Sequence, residues 1–198
     1  GMDINDLNND GLEDVFVLDM AIEDPVRQKR LFVQDLNYDR FALMVKLKLY
    51  YQYAHNMLQL NTGNHSYSEI AYYAGVAETD WSWAPLIADF DNDGWKDIFV
   101  TNGYRRDLTD WDYKEFFVDS INTRLVKGQK VMIEELYNKI PSQRIHNYFF
   151  RNNRTLRLVN HSEQWSDAPV SFSNGAAYAD LDNDGDLDVV VNNMNEEA

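Results

Sequence analysis

Apolar residues come in short runs along this chain, and three of the runs sit directly behind an acidic loop. Val15-Phe16-Val17-Leu18, Ile98-Phe99-Val100-Thr101 and Val189-Val190-Val191 are rich in β-branched and aromatic residues, which predicts buried strands. Met57 to Leu60 and Tyr148 to Phe150 read as further strands. Tyr67 to Tyr72 and Leu156 to Val159 are their expected hairpin partners, across turns at Asn61-Thr62-Gly63-Asn64 and Asn152-Asn153. Trp83 to Ala88 and Gly175 to Ala179 lead into the second and third acidic loops. Between these β-segments the periodicity changes to that of helices. Asp24-Pro25 marks a cap and first helical position for a turn ending near Leu31. Phe41, Met44, Leu47 and Tyr51 recur at helical spacing. Thr109 with Asp112 resembles a capping box ahead of Tyr113, Phe117, Ile121 and Leu125, and a second stripe from Met132 to Ile140 stops at Pro141. Such aromatic stripes are expected to pack against a neighbour.

The pattern is repeated. His55-Asn56 and His146-Asn147 lie 91 residues apart, the same offset that separates Asp89 from Asp180. The first acidic loop precedes the second by only 83 residues, so variable length is confined to the stretch between a loop's strand and the next His-Asn. A constant β-unit with one site of insertion is the signature of a repeat architecture. Four strands per unit, two of them joined by the acidic loop, make a propeller blade.

The loops themselves are Asp6-Leu7-Asn8-Asn9-Asp10-Gly11-Leu12-Glu13-Asp14, Asp89-Phe90-Asp91-Asn92-Asp93-Gly94-Trp95-Lys96-Asp97 and Asp180-Leu181-Asp182-Asn183-Asp184-Gly185-Asp186-Leu187-Asp188. Oxygen side chains at positions 1, 3, 5 and 9, glycine at 6 and a backbone carbonyl from position 7 form a pattern that wraps a hard cation, calcium above all. The candidate ligands are Asp6, Asn8, Asp10, Leu12 and Asp14, then Asp89, Asp91, Asp93, Trp95 and Asp97, then Asp180, Asp182, Asp184, Asp186 and Asp188, for up to three Ca2+. An EF-hand would need Glu at position 12 and flanking helices. Position 12 here is Val17, Val100 and Val191, each inside a strand-like run. Asp, Asn and Gly also favour ordinary solvated turns. Three copies with one spacing, each feeding a strand, favour the cation site.

Composition narrows the class. With 18 basic and 33 acidic residues the net charge is −15, which argues against nucleic acid and against anionic membrane surfaces as partners. Three dications would bring −15 to −9. No cysteine is present, so neither a disulfide framework nor a thiolate metal site is available. No run approaches the roughly 20 apolar residues of a spanning helix, and membrane insertion is not expected. There is no Gly-x-Ser-x-Gly, phosphate-cradling glycine loop or His-Glu-x-x-His, and His55, His65, His146 and His161 are scattered. An enzyme is therefore not expected. Trp81, Trp83, Trp95 and Trp111 suit packing better than a sugar-binding surface.

The strand, Asp-x-Asp-x-Asp-Gly-x-x-Asp, strand unit resembles the FG-GAP/VCBS repeat of integrin-α-like propellers. The wider pattern, with Ala71-Tyr72-Tyr73-Ala74-Gly75-Val76, Trp81-Ser82-Trp83-Ala84 and Val100-Thr101-Asn102-Gly103, is similar to bacterial VCBS-repeat and cartilage-acidic-protein-like proteins. The namesake Phe-Gly dipeptide is replaced by Trp83-Ala84 and Asn174-Gly175, and Asn8 stands where the other loops have Asp. The resemblance implies a mainly β fold with helical insertions, a partial β-propeller of about two and a half four-stranded blades. Expected boundaries are 3–75 for the first blade with an insertion at 24–54, 76–165 for the second with an insertion at 109–140, and 166–198 for the start of a third. It also implies structural calcium sites in a secreted, cell-surface, periplasmic or outer-membrane-associated protein. Its expected role is adhesion or binding of a protein or glycan ligand, with self-association through open blade edges. The alternative is an accessory or catalytic propeller of a polysaccharide-processing enzyme.

Overall fold

The computed structural model describes residues 1–31, 38–51 and 53–194; parts of the predicted 24–54 insertion and of the third blade lie outside them. The fold is mainly β with helical insertions, and two compact units are present. The first comprises Gly1–Ile22, Ala54–Gly103 and Arg144–Ala198; the second comprises Glu23–Tyr53 and Tyr104–Gln143.

In the first unit, β1 (Met2–Asn5), β2 (Asp14–Val17), β4 (Met57–Gly63) and β5 (Ser66–Glu69) form an antiparallel four-stranded sheet. A second sheet runs β6 (Asp80–Ala88), β7 (Asp97–Asn102), β8 (Tyr148–Asn152) and β9 (Leu158–Asn160), and β10 (Ser173–Ala179) with β11 (Asp188–Asn193) forms a hairpin. These are two blades and the opening hairpin of a third, a partial propeller. The first strands of the blades are neighbours, β1 against β6 and β6 against β10. Asp3 and Asn5 of β1 stitch that contact: Asp3 accepts the Ile87 N–H at 2.7 Å and Asn5 donates to the Ile87 carbonyl at 2.9 Å. Phe16, Leu58, Ile87, Ile98, Val100 and Phe150 supply the buried core between the sheets. The alternation of buried and less buried positions along β2 and much of β6 follows from the two-residue period of a strand. A short strand not expected from the sequence, β3 (Met20–Ala21), adds a fifth strand to the second sheet by pairing with Trp81 and Asp80.

The repeated His-Asn has a structural explanation in its asparagine. Asn56 accepts the Asp19 N–H just past β2 and donates to the Val76 carbonyl and to Thr79 Oγ1, at 2.6–2.9 Å. Asn147 repeats the first bond by accepting the Asn102 N–H at the end of β7. Each therefore seals the point where an insertion leaves its blade. His55 is buried against Tyr72, with ring centroids 4.9 Å apart, whereas His146 is exposed.

Two expected turns and one strand are corrected. β4 runs on through Gly63, and the tight turn is Asn64-His65, both left-handed at φ 54° and 60°. β8 likewise includes Asn152. The predicted strand from Tyr67 to Tyr72 stops at Glu69, and Ala71–Ala74 forms a single helical turn, α3. Glu69 accepts the Ala71 N–H, the small faces of Ala71 and Ala74 pack into the core, and left-handed Gly75 ends the turn at φ 83°.

In the second unit, α1 (Pro25–Arg30) is capped by Asp24, whose carboxylate accepts the Val26 N–H at 2.8 Å. Helix α2 (Tyr38–Lys46) ends before Leu47, because Lys48 turns left-handed at φ 60° and the Leu49 N–H closes on the Met44 carbonyl. Tyr51 thus lies beyond the helix that its spacing suggested. Asp110, not Thr109, caps the next helix by accepting the Tyr113 N–H at 2.8 Å. Tyr113–Val118 is wound as π-helix before α4 (Asp119–Val126). A strict four-residue apolar spacing is wider than the α-helical 3.6, and a π-turn helps to keep it on one face. Ile121 is buried there, while Phe116, Val126 and, beside α5 (Ile133–Lys139), Met132 are exposed. The expected burial of the stripes is therefore partial. A bidentate ion pair joins buried Arg27 and Asp107 at 2.9 and 3.1 Å, with Gln143 as a further acceptor.

Replacing Asn56 by Ala leaves the Asp19 N–H and the Val76 carbonyl without this partner in a buried setting. The expected loss is about 2–3 kcal/mol of unfolding free energy, read as a lower urea midpoint at constant slope. A loss below about 0.5 kcal/mol would contradict the sealing role.

Candidate metal centre

Each acidic loop is the tip of a β-hairpin. The residue before position 1 pairs with position 9 in all three: Asn5 with Asp14, Ala88 with Asp97 and Ala179 with Asp188. The tips also share one backbone. Position 4 is a left-handed asparagine at φ 57°, 56° and 62° (Asn9, Asn92, Asn183), and position 6 is a left-handed glycine at φ 85°, 88° and 97° (Gly11, Gly94, Gly185). Asparagine and glycine are the residues that tolerate this region best.

The carboxylates fold the tip around themselves. The first Asp accepts the position-6 N–H in every copy, from Gly11 to Asp6, Gly94 to Asp89 and Gly185 to Asp180. Position 3 accepts the position-5 N–H, and position 5 accepts the position-7 N–H of Leu12, Trp95 and Asp186. Position 9 is the anchor. Asp14, Asp97 and Asp188 each accept the N–H of position 2 at 2.9–3.1 Å. In the two complete blades the other oxygen accepts an N–H from the third strand, Asn61 to Asp14 and Asn152 to Asp97, both at 2.8 Å. Those asparagines also donate their amides to the position-8 carbonyls of Glu13 and Lys96.

Two tips gather a cation-binding set. Asp89, Asp91 and Asp97 bring carboxylate oxygens within 4.8 Å of one another, as do Asp180, Asp182 and Asp184. Three converging hard oxygens fit a divalent cation. Asp93 stands apart from the first set because its Oδ2 faces Arg151 and Arg154 at 3.3 and 3.1 Å. Asp188 stands apart from the second, engaged with the Leu181 N–H. Asp6, Asp10 and Asp14 of the first tip form no such group. Asn8 replaces one carboxylate there and donates its amide to Asp10 at 2.9 Å, which partly satisfies the tip without a cation. The expected carbonyl donors Leu12, Trp95 and Asp186 sit at the same turn of each tip.

Neighbouring tips are linked. Asn9 donates to the Gly94 carbonyl at 2.9 Å, and Asn92 donates to the Gly185 carbonyl at 3.2 Å and to the Asp186 carboxylate. The repeated position-4 asparagine was visible in the sequence, but its bond to the next repeat was not.

Burial differs between copies and sets their electrostatics. Burial pushes the Asp97 carboxyl up to about 6, against the lowering effect of its bonds from the Asn152 and Phe90 N–H groups; Asp91 and Asp93 add to the rise. Burial likewise raises Asp14, despite the Asn61 and Leu7 N–H groups. Burial would also raise Asp93, but the Trp95 N–H, Arg154 and Arg151 outweigh it and hold that carboxyl below its ordinary range. A dication at the tip needs Asp97 ionised, so its affinity should increase through this pH range.

Mainly β hairpins set side by side, with acidic tips bridged from one blade to the next, define a propeller-type repeat protein. Residues 6–100, from the first tip into the strand that follows the second, match the family described as FG-GAP-like repeat. That stretch of the chain is an FG-GAP-like repeat. No curated protein matches the chain significantly. Among the described residues, no helix is long and apolar enough to cross a membrane.

The raised Asp97 gives a signed pH dependence. Its folded value lies above the ordinary aspartate value of 3.8, so the native state holds the proton more tightly than the unfolded chain between 3.8 and about 6. Stability from this group is therefore greatest at low pH and falls as pH rises from 3.8 to about 6. In chelator, the unfolding free energy of the wild type minus that of Asp97→Asn should decline across this window. A difference that stays flat or grows would refute the assignment.

Proposed function

We propose that the chain is a non-catalytic calcium-binding β-propeller module of a secreted or cell-surface protein, serving adhesion or protein and glycan binding. The observation that carries this reading is the pair of acidic triads at the tips of adjacent blades. Asp89, Asp91 and Asp97 would hold one Ca2+, assisted by the Trp95 carbonyl and Asp93. Asp180, Asp182 and Asp184 would hold another, assisted by the Asp186 carbonyl and Asp188. The ion supplies charge neutralisation where like-charged carboxylates crowd, so binding energy becomes folding energy. The chain's own residues do the remaining work: position 9 ties the tip to its blade, and the position-4 asparagine ties it to the next. This use of the carboxylates is structural, which supports a binding module over an enzyme.

Exposed aromatic groups supply a plausible contact chemistry. Tyr72 and Tyr73 are both exposed, and the Arg157 guanidinium lies 5.1 Å from the Tyr73 ring centroid. Aromatic faces beside a cation suit a sugar ring or a peptide side chain. β11 is paired on one side by β10 among the described residues, and pairing with a second chain along its free edge is the proposed route to self-association.

Extracellular calcium modules often bind at about 10⁻⁴ to 10⁻³ M. With a Kd of about 10⁻⁴ M, 10 mM calcium should stabilise the fold by about 2.7 kcal/mol per site, or roughly 5–10 °C in Tm. Asp182→Ala should remove about half of that shift, whereas Asn8→Ala should leave it nearly intact. A Tm unmoved by exhaustive chelation would eliminate the calcium reading.

A further inference from the structure

The second acidic tip has two arginines on its carboxylates, where the first tip has none. Arg151 Nε lies 2.7 Å from Asp91 Oδ2, and Arg151 Nη2 lies 3.3 Å from Asp93 Oδ2. Arg154 Nη2 reaches the same Asp93 oxygen at 3.1 Å and the Asp93 carbonyl at 3.4 Å. Asp93 Oδ1 is already taken by the Trp95 N–H. One carboxylate is thereby diverted, and Asp91, a member of the converging triad, is engaged by a positive charge.

The first blade has no counterpart of this pair. The 91-residue offset places Leu60 and Gly63 of the first blade where Arg151 and Arg154 stand in the second.

We propose that Arg151 and Arg154 are a built-in counter-cation that competes with a dication for the second tip, so that this tip fills at higher calcium than it would without their charge. The inference rests on the calcium reading above and adds its regulation. A guanidinium and a dication cannot both sit on the Asp91 carboxylate without mutual repulsion, so each weakens the other's hold. Both side chains reach solvent, at 42% and 56% exposure, although the Arg151 Nε is buried. A cavity of about 260 Å3, bordered by Arg151, Arg154, Asn153, Val159 and His161, lies beside them and gives the guanidinia room to withdraw.

Trp95 at position 7 provides a local reporter, since an indole beside a bound terbium ion sensitises its luminescence. The third tip is silenced by Asp182→Ala with Asp184→Ala, and terbium binding followed by calcium competition is measured at the second tip. Removing the charge by Arg151→Met should tighten calcium binding there about tenfold, and Arg151→Lys should restore affinity close to the wild type. Calcium affinity unchanged or weakened by Arg151→Met would overturn the proposal, because the arginine would then be neutral toward the ion or would position Asp91 for it. Absence of sensitised terbium binding in the silenced background would sink the calcium reading at this tip itself.

Discussion

The aspartate at position 9 of each tip is the contact on which the blades depend. Two oxygens on one rigid carboxylate accept one N–H from the start of the same loop and one from the third strand. A hairpin of two strands is marginal by itself, and its tip is the part most prone to open. By holding both the loop and the adjoining strand, Asp14 and Asp97 convert that tip into a closed corner. The cost is a buried carboxylate, visible in the raised Asp97 value. Charge-assisted hydrogen bonds offset that cost, and a bound dication would offset it further.

Around this anchor the three tips show graded versions of one design. The first has the fewest candidate carboxylate ligands: Leu7 and Asp14 are fully inaccessible and Asn8 donates its amide to Asp10. The second is acidic and countered by arginines. The third is acidic, and Asp180, Asp182 and Asp184 are exposed. Bridging asparagines run from the first tip to the second and from the second to the third. Tips joined in this way share their backbone positions, so ordering one by a cation biases the next.

The second unit has a different organisation. Its helices are short, and much of their apolar stripe is exposed, with the bidentate Arg27–Asp107 pair as a buried clamp. Removing one partner of such a pair costs far more than the pair contributes, so it fixes an arrangement more than it stabilises one. The length variation seen between repeats falls in this unit, between the second and third strands of each blade, where the blade itself imposes no register.

What the sequence by itself determined is the acidic tips, each made within nine residues. The tips were legible because their hydrogen bonds run between positions two to seven apart, so spacing of Asp, Asn and Gly is enough to specify them. The strands behind the tips were legible from β-branched runs, and the blade count from the 91-residue offset. Tertiary structure decided what spans the chain. Asn152 reaches the Leu7 carbonyl 145 residues away, Arg151 meets Asp91, and β3 pairs with β6. It also ended the Tyr67–Tyr72 strand early, because two alanines could pack into the core as a helical turn where the strand pattern alone gave no reason to stop. Local pattern fixes which oxygens can converge; only the packed blades decide which of them keep a neighbour of opposite charge.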